Sequence, residues 1–109
     1  MFIIKILIIL FSSIFLFSQD PELLLNQGES ALLSGDIDNA ESLFNKSLKV
    51  DPSFAPALQA LSKLSLHKGD LKKANDYSIQ AVQADEDFRE WSNKIIKIKD
   101  EMLRAKKSS

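Results

Sequence analysis

The chain has 109 residues, 45% hydrophobic and 27% charged, which fits one folded domain and not a disordered tail. Its net charge is −1, so no overall basic field exists to hold nucleic acid. It has no cysteine, one histidine and three glycines. That excludes disulfides, thiolate metal sites, a cysteine nucleophile and a lipid-modified leader, and leaves little for a metal cage or a phosphate loop. The composition argues against an enzyme and against any cofactor.

Met1 to Phe17 is almost entirely Ile, Leu and Phe, with one charge at Lys5. The uncharged stretch from Ile6 to Phe17 is twelve residues long and contains Ser12 and Ser13. A spanning helix usually needs about 20 apolar residues. The pattern reads as a secretory signal over residues 1–18, cut after Ser18 to leave Gln19 first. Leu16 stands where a small residue is usual before such a cut. The competing reading is a membrane anchor made by residues 1–17. Both place Gln19 onward outside the cytoplasmic membrane, because Lys5 holds the start inside. The expectation is an exported protein, periplasmic or secreted, that meets the membrane only if residues 1–17 stay attached.

The rest of the chain is organised by one repeat period. Gly35-Asp36 recurs as Gly69-Asp70, Ala40 as Ala74, Asp51 as Asp85, Phe54 as Phe88, Leu24 as Leu58 and Leu32 as Leu66, all at the same offset. Leu24, Gly28, Ala31 and Leu32 follow helical spacing. Ser34-Gly35-Asp36 interrupts it: Gly35 suits a left-handed helix end and Asp36 can cap the next helix. Ala40, Leu43, Phe44, Ser47 and Leu48 make a second stripe, which Asp51-Pro52 ends. Ser53 is the expected cap of the following helix, with Pro56 in its first turn. Leu58, Leu61, Ser62, Leu64 and Ser65 then Ala74, Tyr77, Ser78, Ala81 and Val82 repeat the plan around Lys68-Gly69-Asp70. Small residues at Gly28, Ala40, Ser47, Ser62, Ala74 and Ala81 let paired helices approach closely.

With those residues in place, the chain resembles a tetratricopeptide repeat protein, a family with a 34-residue helix–turn–helix period. The resemblance is to a small exported bacterial type. Unit one spans residues 21–54 and carries Gly28, Ala31, Gly35-Asp36, Ala40, Phe44, Ser47 and Asp51-Pro52. Unit two spans residues 55–88 and departs twice, with Ser78 where the aromatic belongs and Glu86 where the proline belongs. Leu24 and Leu58 stand in place of the usual tryptophan. The expected fold is all-α, an α-solenoid fragment of two units within residues 19–88 and a capping helix over residues 89–105, with a frayed tail at 106–109.

In the capping stretch, Asp85, Glu86 and Asp87 favour a helix start, and Arg104, Lys106 and Lys107 favour its end. Trp91, Ile95, Ile98 and Met102 share one face and should pack on unit two. Ile96 and Leu103 lie to one side. They are either a flank of that core or an exposed seam for self-association. Two units and one helix should be folded yet marginal, so contact with a partner or a second copy should add burial.

Candidates for chemistry are few. His67 stands near a helix end, where the dipole accounts for it. Asp36 and Asp38, and Asp85 to Asp87, lack the spaced ligands and turn glycine of a calcium loop. Lys72-Lys73 and Lys106-Lys107 are too sparse for a nucleic-acid patch. No Ser-His-acid set is legible. Residues 20–62 carry two lysines against seven carboxylates, whereas residues 63–109 carry eleven basic against eight acidic groups. Solvated faces account for such a gradient, which can also steer an encounter.

The resemblance implies a concave groove lined by the first helix of each unit, binding a protein or peptide. Its residues would be Leu25, Asn26, Glu29 and Leu33 in unit one, and Gln59, Lys63 and His67 in unit two, with Leu66 closer to the core. Leu25 and Glu29 stand where a carboxylate clamp would need Lys and Asn, which argues against chaperone-tail binding. The reading is a non-catalytic interaction adaptor. The alternative is a membrane-anchored structural subunit of a larger envelope assembly.

Overall fold

The computed structural model describes residues 2–17 and 20–108. Among them every regular element is helical: α1 (Phe2–Phe17), α2 (Pro21–Leu33), α3 (Ile37–Val50), α4 (Ala55–His67), α5 (Leu71–Ala84), a 3-10 turn (Glu86–Phe88) and α6 (Arg89–Ser108). The helices α2 and α3 form one antiparallel pair and α4 and α5 a second. α3 also packs on α4, and α5 on α6. This is the expected all-α arrangement of two helix–turn–helix units and one closing helix.

The turns inside the pairs are copies of each other. Gly35 and Gly69 both sit at φ 81°, a left-handed conformation that glycine adopts without Cβ strain. In the first, Gly35 N–H donates to Leu32 C=O (3.0 Å) and Asp36 N–H to Ala31 C=O (2.9 Å). In the second, Gly69 N–H donates to Leu66 C=O (3.1 Å) and Asp70 N–H to Ser65 C=O (2.9 Å). The aspartates then cap the second helix of each pair. Asp36 Oδ1 accepts from Asn39 N–H and Asp70 Oδ1 from Lys73 N–H, each at 3.2 Å.

The turns between units also match, although one contains a proline and the other does not. Asp51 Oδ1 accepts from Ser53 N–H and Asp85 Oδ1 from Asp87 N–H, each at 3.0 Å. Phe54 N–H reaches Asp51 C=O and Phe88 N–H reaches Asp85 C=O, each at 3.1 Å. The aspartate side chain therefore shapes the turn, and Glu86 serves where Pro52 stands. Glu86 is itself held by Arg89, whose Nη2 donates to Oε2 at 3.0 Å while Nε engages Oε1. One expectation fails here. Ser53 does not cap α4; Phe54 occupies that position and gives no side-chain bond. Asp51 draws the Ser53 amide into the turn, so α4 starts after Phe54.

The central cluster of the core runs from α2 through α4: Leu25, Ala31, Ala40, Phe44, Ala57, Leu61 and Leu64. Small residues hold the pairs together. Ala40, Ser47, Ser62, Ala74, Ser78 and Ala81 are all fully buried. Each of the three serines in that set has an acceptor, as buried polar groups require: Ser47 Oγ donates to Pro21 C=O (2.7 Å), Ser62 Oγ to Ala74 C=O (2.6 Å) and Ser78 Oγ to Asn75 C=O (2.8 Å). Across the units, Lys68 Nζ meets Glu41 Oε2 at 2.6 Å. That bond holds the Lys68 ammonium above the ordinary lysine range.

The closing helix departs from expectation in two ways. It continues to Ser108, past the end expected at residue 105. Its buried residues are Ser92 and Ile95, whereas Ile98 and Met102 are each 41% exposed. At about 1.5 Å per residue, the 20 residues of α6 outrun the 14 of α5 by roughly 9 Å. The second half of the predicted stripe overhangs its support. Ile96 is half-buried, while Leu103 is exposed. The two residues named as a seam thus differ in environment.

The helix α1 stands outside these helix pairs. Its residues Ile3 to Leu10 are exposed. No helix among the described residues is long and apolar enough to cross a membrane. The expected cleavage between Ser18 and Gln19 lies outside the described residues.

Candidate protein-docking surface

The first helix of each unit presents one exposed strip. On α2 the strip comprises Glu22, Glu29 and Leu33; on α4 it comprises Lys63 and His67. Glu29 and Lys63, and Leu33 and His67, are one repeat period apart and occupy equivalent helix positions. Leu33 is 92% exposed, an extreme value for a leucine and the marked apolar feature of this strip. Gln59 is half-buried at the strip's edge, and Leu66 is half-buried as expected.

One predicted position falls elsewhere, and another serves two surfaces. Leu25 is a core residue, 8% exposed and part of the central cluster. The reason is the angle it takes on α2, which turns it inward. Asn26 is exposed but also lines a separate groove at the open edge of the first pair, with Gln27, Ser30, Ala31, Ser34, Asn39 and Leu43. That groove has a volume of about 510 Å³.

The repeat explains the groove. Its lining residues correspond to Ala60, Leu61, Leu64, Ser65, Lys68, Lys73 and Tyr77 in unit two. There the seat is filled, because α3 packs on α4, and Leu61 and Leu64 are buried. In unit one the same seat is open, and polar side chains replace the leucines. A polar outer face is what a terminal unit of a stack needs.

Sequence reasoning missed the contribution of α6 to the exposed strip. One more step of the period carries Glu29 and Lys63 to Lys97, and Leu33 and His67 to Glu101. Both are exposed. The signal was present in the period, which continues past Phe88. The strip is acidic on α2, basic on α4 and mixed on α6.

Residues 21–54 match the family model for the tetratricopeptide repeat. This segment is a tetratricopeptide repeat. The matched span is the first helix pair with both its turns. The second helix pair reproduces the turns and close contacts of this tetratricopeptide repeat, with Ser78 and Glu86 as its departures. Comparison with curated proteins finds no match. Repeats of this type are scaffolds for protein–protein interaction, and protein partners are what such a surface takes.

Proposed function

We propose that the chain is an exported, non-catalytic adaptor that binds a protein segment along the strip on α2, α4 and α6. The observation that carries this reading is Leu33, held almost fully in solvent beside Glu29 and in register with His67. A leucine kept at 92% exposure at the end of α2 supplies an apolar anchor already presented to solvent. Glu29 beside it, with Lys63 and Lys97 at the equivalent positions of α4 and α6, suits an extended or helical segment of alternating charge. The test is co-purification from the envelope and secreted fractions with wild type, Leu33→Asp and Lys63→Glu. Loss of the same partners in both variants, with unchanged helicity, is the expected result. Recovery of identical partners by all three would overturn the reading.

Export is supported by the character of α1, a 16-residue helix built almost entirely from Ile, Leu and Phe with one charge at Lys5, whose residues Ile3 to Leu10 are exposed. An apolar segment of this length and charge fits a role in targeting, with the processed chain acting outside the cytoplasmic membrane. Mass measurement of the chain from its native host decides it. A mature form beginning at Gln19 is expected, and a chain retaining Met1 to Ser18 would refute cleavage.

A further inference from the structure

We propose that the groove on the α2–α3 edge is an interface between two copies of this chain, related by a two-fold axis.

The chemistry of this edge points to a second copy. Along α2, Leu23, Gln27, Ser30 and Ser34 follow at helical steps and make one line. Leu23, which begins the line, is 51% exposed. From α3, Asn39 and the half-buried Leu43 complete the groove. No charged side chain among the described residues lines it, in a chain that is 27% charged. The repeat sharpens the contrast. Where unit two has Leu61 and Leu64, unit one has Gln27 and Ser30; where unit two has Lys68 and Lys73, unit one has Ser34 and Asn39. Both the leucines and the lysines are gone from this edge. Solvation alone would tolerate lysine here, as it does at Lys63 and Lys97 on the strip.

Amides and hydroxyls suit a two-fold contact. A patch that meets its own copy must complement itself, residue i to j and j to i. Charges of one sign fail that condition near the axis, where like faces like. Amides and hydroxyls meet it, because each both donates and accepts. Among the described residues, the side chains of Asn26, Gln27 and Asn39 bond to nothing else in the chain, so these groups are available. Leu23 and Leu43 add apolar area to bury. Other occupants fit less well. A charged peptide would find no counter-charge in the groove, and a wholly apolar helix would leave its amides without partners.

Size sets the strength. At about 1.5 Å per residue, α2 and α3 are each roughly 20 Å long. Set about 10 Å apart, they give a flat footprint of roughly 400 Å². That is about half of what a standard interface buries per partner, so the dimer is weak and depends on concentration. Glu29 and Leu33 do not line the groove. The dimer therefore leaves the docking strip open and carries it twice.

The test uses the full chain in mild detergent, with sedimentation over a concentration series and circular dichroism to follow helicity. Wild type should pass from monomer to dimer as concentration rises, with little response to salt. Ser30 is exposed between Gln27 and Ser34, so Ser30→Lys and Ser30→Glu should keep the fold. Each alone should weaken the dimer by about tenfold or more, because the axis sets like charges together. Mixed in equal amounts, the two variants should recover the dimer, and added salt should dissolve it again. A wild type that stays monomeric throughout would overturn the proposal. So would a mixture that never recovers the dimer. A dimer that both substitutions leave intact would also overturn it, because association would then belong to another face.

Discussion

Gly28 and Phe44 exclude each other's growth: a Cβ at Gly28 would lie 2.5 Å from Cε1 and 2.7 Å from Cδ1 of the Phe44 ring. Both residues are buried, Phe44 completely. The α2–α3 pair is close because one helix gives up a side chain where the other places its largest. The second pair reaches closeness differently. Ser62 and Ser78 share the bulk, and Ser62 Oγ bonds across to Ala74 C=O. Ser78 in place of an aromatic is therefore one half of an exchange and not a defect in the repeat.

That exchange predicts the sign of Gly28→Ala. Alanine is about 1 kcal/mol better than glycine in a helix interior. Overpacking against a fixed ring costs about 1–3 kcal/mol. Phe44 is ringed by core neighbours and cannot retreat, so packing outweighs propensity and the variant loses about 1 kcal/mol. Urea denaturation checks it. Gly28→Ser combined with Phe44→Ser should cost less than the sum of the single changes, with a coupling of about 1 kcal/mol. Additive costs would show that the two positions do not constrain each other.

Gly35 and Gly69 test a different cause. Nothing lies within 4 Å of a Cβ at either position, yet both have φ 81°. Any loss in Gly35→Ala or Gly69→Ala comes from the backbone alone, about 1–2 kcal/mol each. The two losses should agree within error, because the turns share their hydrogen bonds. A clear difference in denaturation midpoint would mean the turns are not equivalent.

The turn before α6 has a pH dependence. The Arg89 guanidinium hydrogen-bonds Glu86 and holds its carboxyl below the ordinary glutamate value. A lowered carboxylate pKa adds stability above the ordinary value, which is lost as pH falls through the shifted one. Both side chains are well exposed, so the effect is small. Glu86→Gln should lower the denaturation midpoint slightly at neutral pH, and the gap to wild type should close in acid. On the alkaline side the sign reverses for Lys68. Its raised pKa makes the contribution of its link to Glu41 fully present below the ordinary lysine value and lost as pH rises through the shifted one.

The helix pairs were legible in the sequence because period, glycine turns and aspartate caps all repeat at one offset. Agreement among independent local signals is what makes a fold readable. The cap of α4 was not legible, because Asp51 takes the Ser53 amide into the turn and sets the helix start one residue later, at a position whose side chain cannot cap. The exposure of Ile98 and Met102 was not legible either. Their spacing matches a buried stripe, and only the reach of α5 shows where support ends. At the candidate site, Glu29, Leu33, Lys63 and His67 stand exposed where their register puts them. Leu25 does not, because residues at the border of a helix face go inward or outward according to what the next helix covers.

Leu25 and Leu33 turn that distinction into an experiment. They lie on one helix, two turns apart, and the sequence alone places both at the surface. Leu25→Asp puts a carboxylate in the central cluster with no cation to pair it, and burial of an unpaired charge is severely destabilising. A loss of about 3–5 kcal/mol is expected, with collapse of the far-ultraviolet helical signal at modest urea. Leu33→Asp changes a side chain that touches little of its own chain, so stability should move by less than about 0.5 kcal/mol. The two variants thus separate folding from docking. Loss of partner with Leu25→Asp carries no information about the surface, since the fold goes with it. Loss of partner with Leu33→Asp at full helicity assigns the contact to the strip. Equal stability of the two variants would show that Leu25 is not in the core, and the register of α2 would have to be redrawn.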